Sequence, residues 1–247
     1  MYNLLIADDN ILYVKKMINL ILSNNEDIRL VNIATDGKET LNYIKNEKID
    51  LVILDIYMPI CSGLEVLKKL EYETRINIPK IIIISGVLSN INKVVNNKNV
   101  IDFIPKSVGI DVMVQKINII VESMKQEKNI KIVERYVKAE LMNLKYNFKY
   151  VGTIYIFETI LFIINSNNID LLENLEKNVY SIVAMRHKKT VNNIKSDIVK
   201  ATNIMYNDCT LNYLLQYFSF EQDTKPTPKL IISTIVNKYI RNEEKIH

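Results

Sequence analysis

Five short apolar runs divide the first half of the chain, at residues 3–7, 29–33, 51–54, 80–84 and 100–104. Between them, apolar residues recur at the three- and four-residue spacing of one helix face, as at Val14, Met17, Ile18 and Ile21. Strands that alternate with helices build a parallel sheet with helices on both faces. The pattern therefore predicts a five-stranded, doubly wound α/β domain over residues 1–125.

The second half of the chain has helical spacing throughout. The polar stretch 125–129 marks a boundary, so we predict a linker at 126–131 and an all-α domain at 132–247. One helix is predicted at 153–164, and Asp170 and Thr190 are candidate N-caps of two more. The basic turn 186–189 between those two predicts a helix-turn-helix. The Asn-rich stretch 87–99 is predicted to be a poor helix former.

Polar side chains follow four of the predicted strands. Asp8 and Asp9 end the first, Asp55 the third and Ser85 the fourth, and Lys106 follows the fifth. In open α/β sheets, ligands bind at the carboxyl ends of the strands. We therefore expect these five side chains to converge on one edge of the sheet.

The chemistry of that edge follows from its charges. Three carboxylates repel each other unless a hard cation neutralises them, which predicts Mg²⁺ or another divalent cation such as Ca²⁺ or Mn²⁺. Asp55 would then be a nucleophile toward a phosphoryl group, with Lys106 balancing its charge and Ser85 donating a hydrogen bond. Phosphatases of the haloacid dehalogenase type also use a strand-end Asp, but they need a second Asp two residues later, where this chain has Tyr57. Helix capping by the acidic pair and a plain surface role for Lys106 are the simpler alternatives.

These strand-end residues, together with Pro59 and Gly63, resemble the receiver domain of two-component response regulators. The resemblance implies a flavodoxin-like fold and a histidine kinase or phosphotransferase as phosphoryl donor. It implies that the backbone carbonyl of Tyr57 joins Asp8, Asp9 and Asp55 as a metal ligand. It also implies that Phe103 is a rotameric switch.

The outward face of the helix after the basic turn is polar and basic. Its candidate DNA-binding residues are Lys188, Lys189, Asn192, Asn193, Lys195, Ser196 and Lys200. Lysine neutralises phosphates and asparagine reads adenine in the major groove. A helical bundle with a solvated lysine face explains the same pattern equally well.

Three segments resemble the effector domain of the stage 0 sporulation protein A family: residues 152–158, the pair Val179-Tyr180, and residues 225–227 before a final amphipathic helix. This resemblance implies a sporulation promoter as target. The family has arginines where this chain has Asn193, Ser196 and Val199, so base-specific contacts are reduced.

Two hypotheses follow. The first is a phosphorylation-controlled transcriptional regulator that dimerises and binds DNA. The second is a DNA-binding-impaired paralogue that antagonises the true sporulation regulator, by forming heterodimers with it or by competing for phosphoryl groups.

Composition and charge narrow the classes of function that the chain can have. The 247 residues carry a net charge of +4, and the positive excess lies in the second half, which is compatible with nucleic-acid binding. No targeting or membrane-spanning segment is visible, so a cytoplasmic protein with two free thiols is expected. With only two histidines and five glycines, neither a histidine-based triad nor a phosphate-cradling loop is formed, and no enzyme activity is expected.

Overall fold

The computed structural model describes residues 1–74, 77–87, 94, 96–218 and 225–245. Its contacts divide the chain into two compact units, Met1–Lys125 and Gln126–His247. The stretch 87–99, predicted to be a poor helix former, lies largely outside the described residues.

The first unit contains a sheet of five parallel strands in the order β2-β1-β3-β4-β5. The strands are β1 Tyr2–Ala7, β2 Ile28–Ala34, β3 Leu51–Asp55, β4 Lys80–Ser85 and β5 Val100–Pro105. All five predicted strands are confirmed. The order puts β1 beside β3, so that the carboxyl ends of these two strands are neighbours.

Helices cover both faces of the sheet. They are α1 Ile11–Asn24, α2 Gly37–Asn46, α3 Gly63–Glu71 and the first part of α4, Ile110–Asn143. Successive strand residues point to opposite faces. Leu4 and Ile6 accordingly pack into a cluster with residues of α1 and α4, whereas Leu5 and Ala7 pack into a second cluster with residues of α2 and α3. The doubly wound fold is thus confirmed.

Side chains in the loops fix where the helices begin. Asn10 Oδ1 accepts a hydrogen bond from the Tyr13 amide at the start of α1, at 3.1 Å. Asp36 caps α2 in the same way, and Ser62 with Glu65 forms a capping box at α3. These contacts satisfy amide groups that have no partner inside the helix.

Helix α4 is continuous from Ile110 to Asn143. Residues 126–131, the predicted linker, are helical within it, and their part as a linker stays a prediction. The segment contains neither Gly nor Pro, so nothing in it ends a helix. Val121 of this helix is buried in the first unit, and Val137 is buried in the second. The domain bounds 1–125 and 132–247 stay predictions.

The described part of the second unit is all-helical, as predicted. Its helices are the end of α4, α5 Val151–Ser166, α6 Ser181–Arg186, α7 Val191–Asp208, α8 Leu211–Phe218 and α9 Pro228–Glu244. Among the described residues, none of the helices combines the length and the apolar character that crossing a bilayer requires.

The segment between α5 and α6 differs from the expectation. Asp170 is not an N-cap. Its amide donates a hydrogen bond to Asn168 Oδ1, at 3.0 Å, and Asn168 thereby caps a short 3₁₀ turn, Ile169–Leu172. A π-helical turn, Glu176–Tyr180, then runs directly into α6. Local hydrogen bonding by Asn168 thus replaces the predicted cap.

Close packing of α5 against α7 depends on Gly152. A Cβ at this position would lie 1.9 Å from the backbone oxygen of Asp197 and 2.9 Å from Ala201 Cβ. Only a residue without a side chain allows the two helices to approach this closely.

Candidate functional site

Three carboxylates meet at the carboxyl edge of the sheet. Asp8 follows β1, Asp55 ends β3, and one oxygen from each of Asp8, Asp9 and Asp55 lies within 4.8 Å of the others. The register explains this placement, because Ala7 pairs with Leu54 across the two neighbouring strands. Asp8 and Asp55 are buried and Asp9 is exposed. The predicted convergence of the acids is therefore observed.

Lys106 reaches the same point from β5. Its Nζ lies 2.6 Å from Asp55 Oδ2, to which it donates a hydrogen bond, and 2.8 Å from Asp8 Oδ2. One ammonium group thus bridges two buried carboxylates and leaves the cluster of three acids negatively charged overall.

Burial and the neighbouring opposite charge shift the pKa values of Asp55 and Lys106 in opposite directions. Burial raises the pKa of the Asp55 carboxyl, and the hydrogen bond from Lys106 only partly opposes this. Burial lowers the pKa of the Lys106 ammonium, but its contacts with Asp55 and Asp8 outweigh that effect, so the net shift is upward. Positive charge near Asp55 is what favours its ionised, nucleophilic form.

The acidic cluster fits a divalent cation. Asp8 Oδ2 is buried and accepts no hydrogen bond of normal geometry from the described residues, although the Lys106 ammonium is close. Buried carboxylate oxygens are normally satisfied. The three carboxylates outnumber the single ammonium group, and their all-oxygen donor set suits Mg²⁺, Ca²⁺ or Mn²⁺.

The loop after Asp55 is held against the end of β3. A Cβ on Gly63 would lie 2.2 Å from the Asp55 backbone oxygen, and the Gly63 amide donates to the Ile56 oxygen at 3.0 Å. The Tyr57 amide donates to Asp55 Oδ1 at 3.3 Å, and its side chain is exposed. That the backbone carbonyl of Tyr57 binds the metal stays a prediction.

The two remaining residues predicted at this edge lie on β4 and β5. Ser85 is buried, and its hydroxyl accepts from the Val87 amide at 3.1 Å and donates to the Val87 oxygen at 3.3 Å. Phe103 is half-buried against the cluster that contains α2 and α3. That Ser85 binds the phosphoryl group and that Phe103 is a rotameric switch stay predictions.

Tyr13 belongs to this site and was missed from the sequence. Lys106 Nζ lies 5.1 Å from the centroid of its ring, within the range of a cation–π contact. The Tyr13 hydroxyl donates to Met113 Sδ at 3.5 Å. Its position in the first turn of α1 was the only signal in the sequence, and that position alone does not show that its ring lies against Lys106.

In the second unit, the predicted DNA-facing surface lies on the outside of α7. All seven predicted contact residues are exposed: Lys188, Lys189, Asn192, Asn193, Lys195, Ser196 and Lys200. Lys188 has a left-handed backbone, with φ of 53°, which forms the turn between α6 and α7. The opposite face of α7, including Ile194 and Ile198, is buried.

Several of these lysines pair with acids of the same unit. Lys195 makes a very short contact with Glu176 of the π-helical turn. Lys189 Nζ lies 3.3 Å from Asp197 Oδ2, and Lys200 Nζ lies 3.7 Å from Asp197 Oδ1. Exposed pairs of this kind are worth about 0–1 kcal/mol, so a phosphate can replace the acid.

Thr190 caps α7, as predicted, because its Oγ1 accepts a hydrogen bond from the Asn193 amide at 3.2 Å. Thr190→Ala should cost about 1 kcal/mol and speed hydrogen exchange in the first turns of α7 roughly fivefold. Mass spectrometry of peptides from 191–208 measures this. Thr190→Ser keeps the acceptor and should exchange like the wild type; equal effects of both changes would contradict a capping role.

Two family descriptions match successive parts of the chain. Residues 4–118 match the response regulator receiver domain, and residues 137–239 match the C-terminal domain of the sporulation initiation factor Spo0A.

Two similar curated proteins match within the first of these parts. A protein-glutamate methylesterase/protein-glutamine glutaminase 1 of Methanospirillum hungatei JF-1 is 36% identical over 89 residues, which is 36% of this chain and 25% of that protein. Its counterpart in Clostridium acetobutylicum is 35% identical over 83 residues, which is 34% of this chain and 23% of that protein. The chain thus spans about a quarter of the length of these relatives.

Similar solved structures cover about half of the chain. The receiver domain of Francisella response regulator 1452 is 30% identical with a TM-score of 0.43, over 50% of this chain and 99% of that chain. A LuxR-family DNA-binding response regulator from Staphylococcus aureus is 29% identical with a TM-score of 0.43, over 48% of this chain and 97% of that chain.

Proposed function

Because this chain is a Spo0A-like response regulator, with a receiver domain followed by a sporulation-type DNA-binding domain, we propose that phosphoryl transfer to Asp55 controls its binding to DNA. The observation that carries the proposal is the contact of Lys106 with Asp55 and Asp8 beside a third carboxylate. The partner is a histidine kinase or a phosphotransferase. The esterase activity named for the relatives is not assigned to this chain, because their similarity is confined to the receiver domain.

The transfer step forms one bond and breaks one. An Asp55 carboxylate oxygen attacks the phosphorus of a phosphohistidine, the new O–P bond forms, and the N–P bond breaks to release the imidazole. Asp8, Asp9, Asp55 and the Tyr57 carbonyl would hold the divalent cation. When bound, the cation neutralises charge on Asp55 and on the phosphoryl oxygens. Lys106, which contacts the free carboxylate, then pairs with the phosphoryl group.

The signal leaves the site through Ser85 and Phe103. The Ser85 hydroxyl exchanges the Val87 backbone for a phosphoryl oxygen, and Phe103 repacks against the cluster beside α2 and α3. Both changes favour one of two receiver conformations, and the shift in population promotes dimerisation and DNA binding.

Phosphorylation should tighten binding to DNA of a sporulation promoter by about 5- to 150-fold, the usual range of coupling between two sites. Fluorescence anisotropy of labelled duplexes, with and without acetyl phosphate and Mg²⁺, measures this. The Asp55→Asn variant is the control and should not respond to acetyl phosphate. Equal affinity of the treated and untreated wild type would contradict the proposal.

A second candidate function is antagonism of another sporulation regulator. It is favoured by the outward face of α7, where Asn193, Ser196 and Val199 offer no guanidinium to guanine and Lys195 is paired with Glu176. An antagonist should lower the promoter binding of an arginine-containing relative when the two are mixed, and should itself bind promoter and mixed-sequence DNA equally. Nanomolar, sequence-specific binding by this chain would contradict antagonism.

A further inference from the structure

Tyr13 lies where α1, Lys106 and the start of α4 meet beside the carboxylate cluster. Lys106 Nζ lies over its ring, 5.1 Å from the centroid. The Tyr13 hydroxyl donates a hydrogen bond to Met113 Sδ at 3.5 Å, in the first turn of α4. The ring is half-buried and packs into the cluster that contains residues of α1 and α4. Tyr13 therefore joins the lysine of the site to the start of α4.

The backbone that carries Tyr13 is tied to one of the carboxylates. The Asn10 amide donates to Asp8 Oδ1 at 2.9 Å, and the Tyr13 amide donates to Asn10 Oδ1 at 3.1 Å. Lys106 Nζ lies 2.8 Å from the other oxygen of the same carboxylate, Asp8 Oδ2. The first turn of α1 thus fixes both the ring and the carboxylate around one ammonium group.

The contact of Lys106 with the ring differs from its contacts with the acids. The carboxylates of Asp8 and Asp55 change their charge or their partner when a cation or a phosphoryl group arrives. Burial raises the pKa of the Tyr13 hydroxyl, so the side chain stays uncharged at neutral pH. The attraction between the ring face and the ammonium group therefore persists throughout phosphoryl transfer.

The position of a lysine at such a site needs support. Its four-carbon stem is flexible and its ammonium group is strongly hydrated. The Lys106 side chain is 23% exposed, so water competes with the site for the ammonium group. An aromatic face beside the charge favours the position next to Asp55 over a position in solvent.

We propose that Tyr13 is a positioning residue for phosphoryl transfer to Asp55, because its ring holds the Lys106 ammonium group beside the incoming phosphoryl group. This role rests on the transfer to Asp55 proposed above and adds a residue to it. Tyr13 acts through Lys106 and forms no bond to the phosphoryl group. A thioether sulfur is a weak acceptor, so the hydroxyl contributes little. The ring face, and not the hydroxyl, does the positioning.

Substitutions that change the ring test this role. In the full chain, labelling by acetyl phosphate and Mg²⁺ is followed over time by intact-protein mass spectrometry. Tyr13→Phe keeps the ring and should be labelled within about twofold of the wild-type rate. Tyr13→Leu removes the ring and should be labelled roughly two- to thirtyfold more slowly, which corresponds to the usual strength of a cation–π contact.

The electron density of the ring separates attraction from packing. Fluorine atoms on the ring withdraw electron density from its face and weaken its attraction for a cation, while the shape of the ring changes little. Replacement of Tyr13 by phenylalanine analogues with increasing numbers of ring fluorines should slow labelling step by step. This series preserves the packing of the ring, so it decides the question even where Tyr13→Leu unfolds the domain.

Tyr43 supplies a matched control. It is also half-buried in the first unit, but it packs against the cluster beside α2 and α3. Tyr43→Leu makes the same change away from Lys106 and should be labelled at the wild-type rate.

The outcomes separate this role from the proposed function. If Asp55→Asn abolishes labelling but Tyr13→Leu and the fluorinated chains keep the wild-type rate, the role of Tyr13 alone is overturned. Equal slowing of Tyr13→Phe and Tyr13→Leu, or of Tyr13→Leu and Tyr43→Leu, also overturns it, because the ring face is then not the cause. A wild type that is not labelled, or label that persists on Asp55→Asn, overturns the proposed function and this role with it.

Discussion

Asp55→Asn should abolish phosphoryl labelling of the chain. An amide is a far weaker nucleophile than a carboxylate, and Asp55 is the carboxylate that both ends β3 and contacts Lys106. Incubation with acetyl phosphate and Mg²⁺, followed by intact-protein mass spectrometry, should show one added phosphoryl group on the wild type and none on the variant. The expected effect is complete loss.

The exposed acid Asp111, in the first turn of α4, supplies a matched control. Asp111→Asn removes the same charge away from the cluster and should be labelled like the wild type. Label on Asp55→Asn would show that another residue is the acceptor.

If a divalent cation binds at the carboxylate cluster, phosphoryl labelling should also depend on that cation. Chelation of divalent cations should prevent labelling of the wild type, because the carboxylate cluster would then repel the incoming phosphoryl oxygens. Asp9→Ala removes the exposed member of the cluster and should be labelled slowly at low Mg²⁺, with recovery at high Mg²⁺. Recovery would show that Asp9 holds the ion and is not the acceptor.

The sequence predicts the receiver edge well for a physical reason. Continuous apolar runs and strand-ending acids are local signals, and parallel pairing of β1 with β3 brings their carboxyl ends together whatever the loops do. Asp8, Asp55 and Lys106 could therefore be placed at one edge without knowledge of any side-chain conformation. Helix N-caps such as Thr190 could also be predicted, because the capping residue and the amide that it accepts from are only three residues apart.

Contacts made by distant parts of the chain were not predictable. Glu176 meets Lys195 across 19 residues, and Lys106 meets the ring of Tyr13 across a still longer separation. Such pairs depend on how the helices and strands pack, which residue spacing does not encode. The contact of Asp197 with Lys200 is different, since the two are three apart on one helix and could have been inferred.

The helical structure of residues 126–131 was not predicted, for another reason. A polar, charged stretch is typical of a boundary, but it is equally typical of the exposed face of a helix, and only Gly or Pro would have decided between them. In α4 the apolar residues on either side continue the helical spacing, so the backbone stays helical through 126–131.

Gly152→Ala should destabilise the packing of α5 against α7 by about 2 kcal/mol, within the range for overpacked sites. The added methyl group would lie 1.9 Å from the Asp197 backbone oxygen, so α5 and α7 must separate. Asp197 also pairs with Lys189 and Lys200, and the shift therefore moves lysines proposed to contact DNA. Hydrogen exchange in peptides from 151–166 and 191–208 should become about 30-fold faster.

Gly86→Ala is the matched control, because a Cβ there meets nothing within 4 Å and its backbone needs no left-handed conformation. Exchange in the receiver domain should be unchanged in both variants, since Gly152 packs only within the second unit. DNA affinity of Gly152→Ala should fall with the loss of order in α7, while phosphoryl labelling of Asp55 continues. Loss of DNA affinity without loss of phosphoryl labelling is what we expect of two units with separate cores, because the Asp55 site does not depend on the packing of α7. Unchanged exchange in 191–208 would mean that α5 and α7 are not in contact at Gly152.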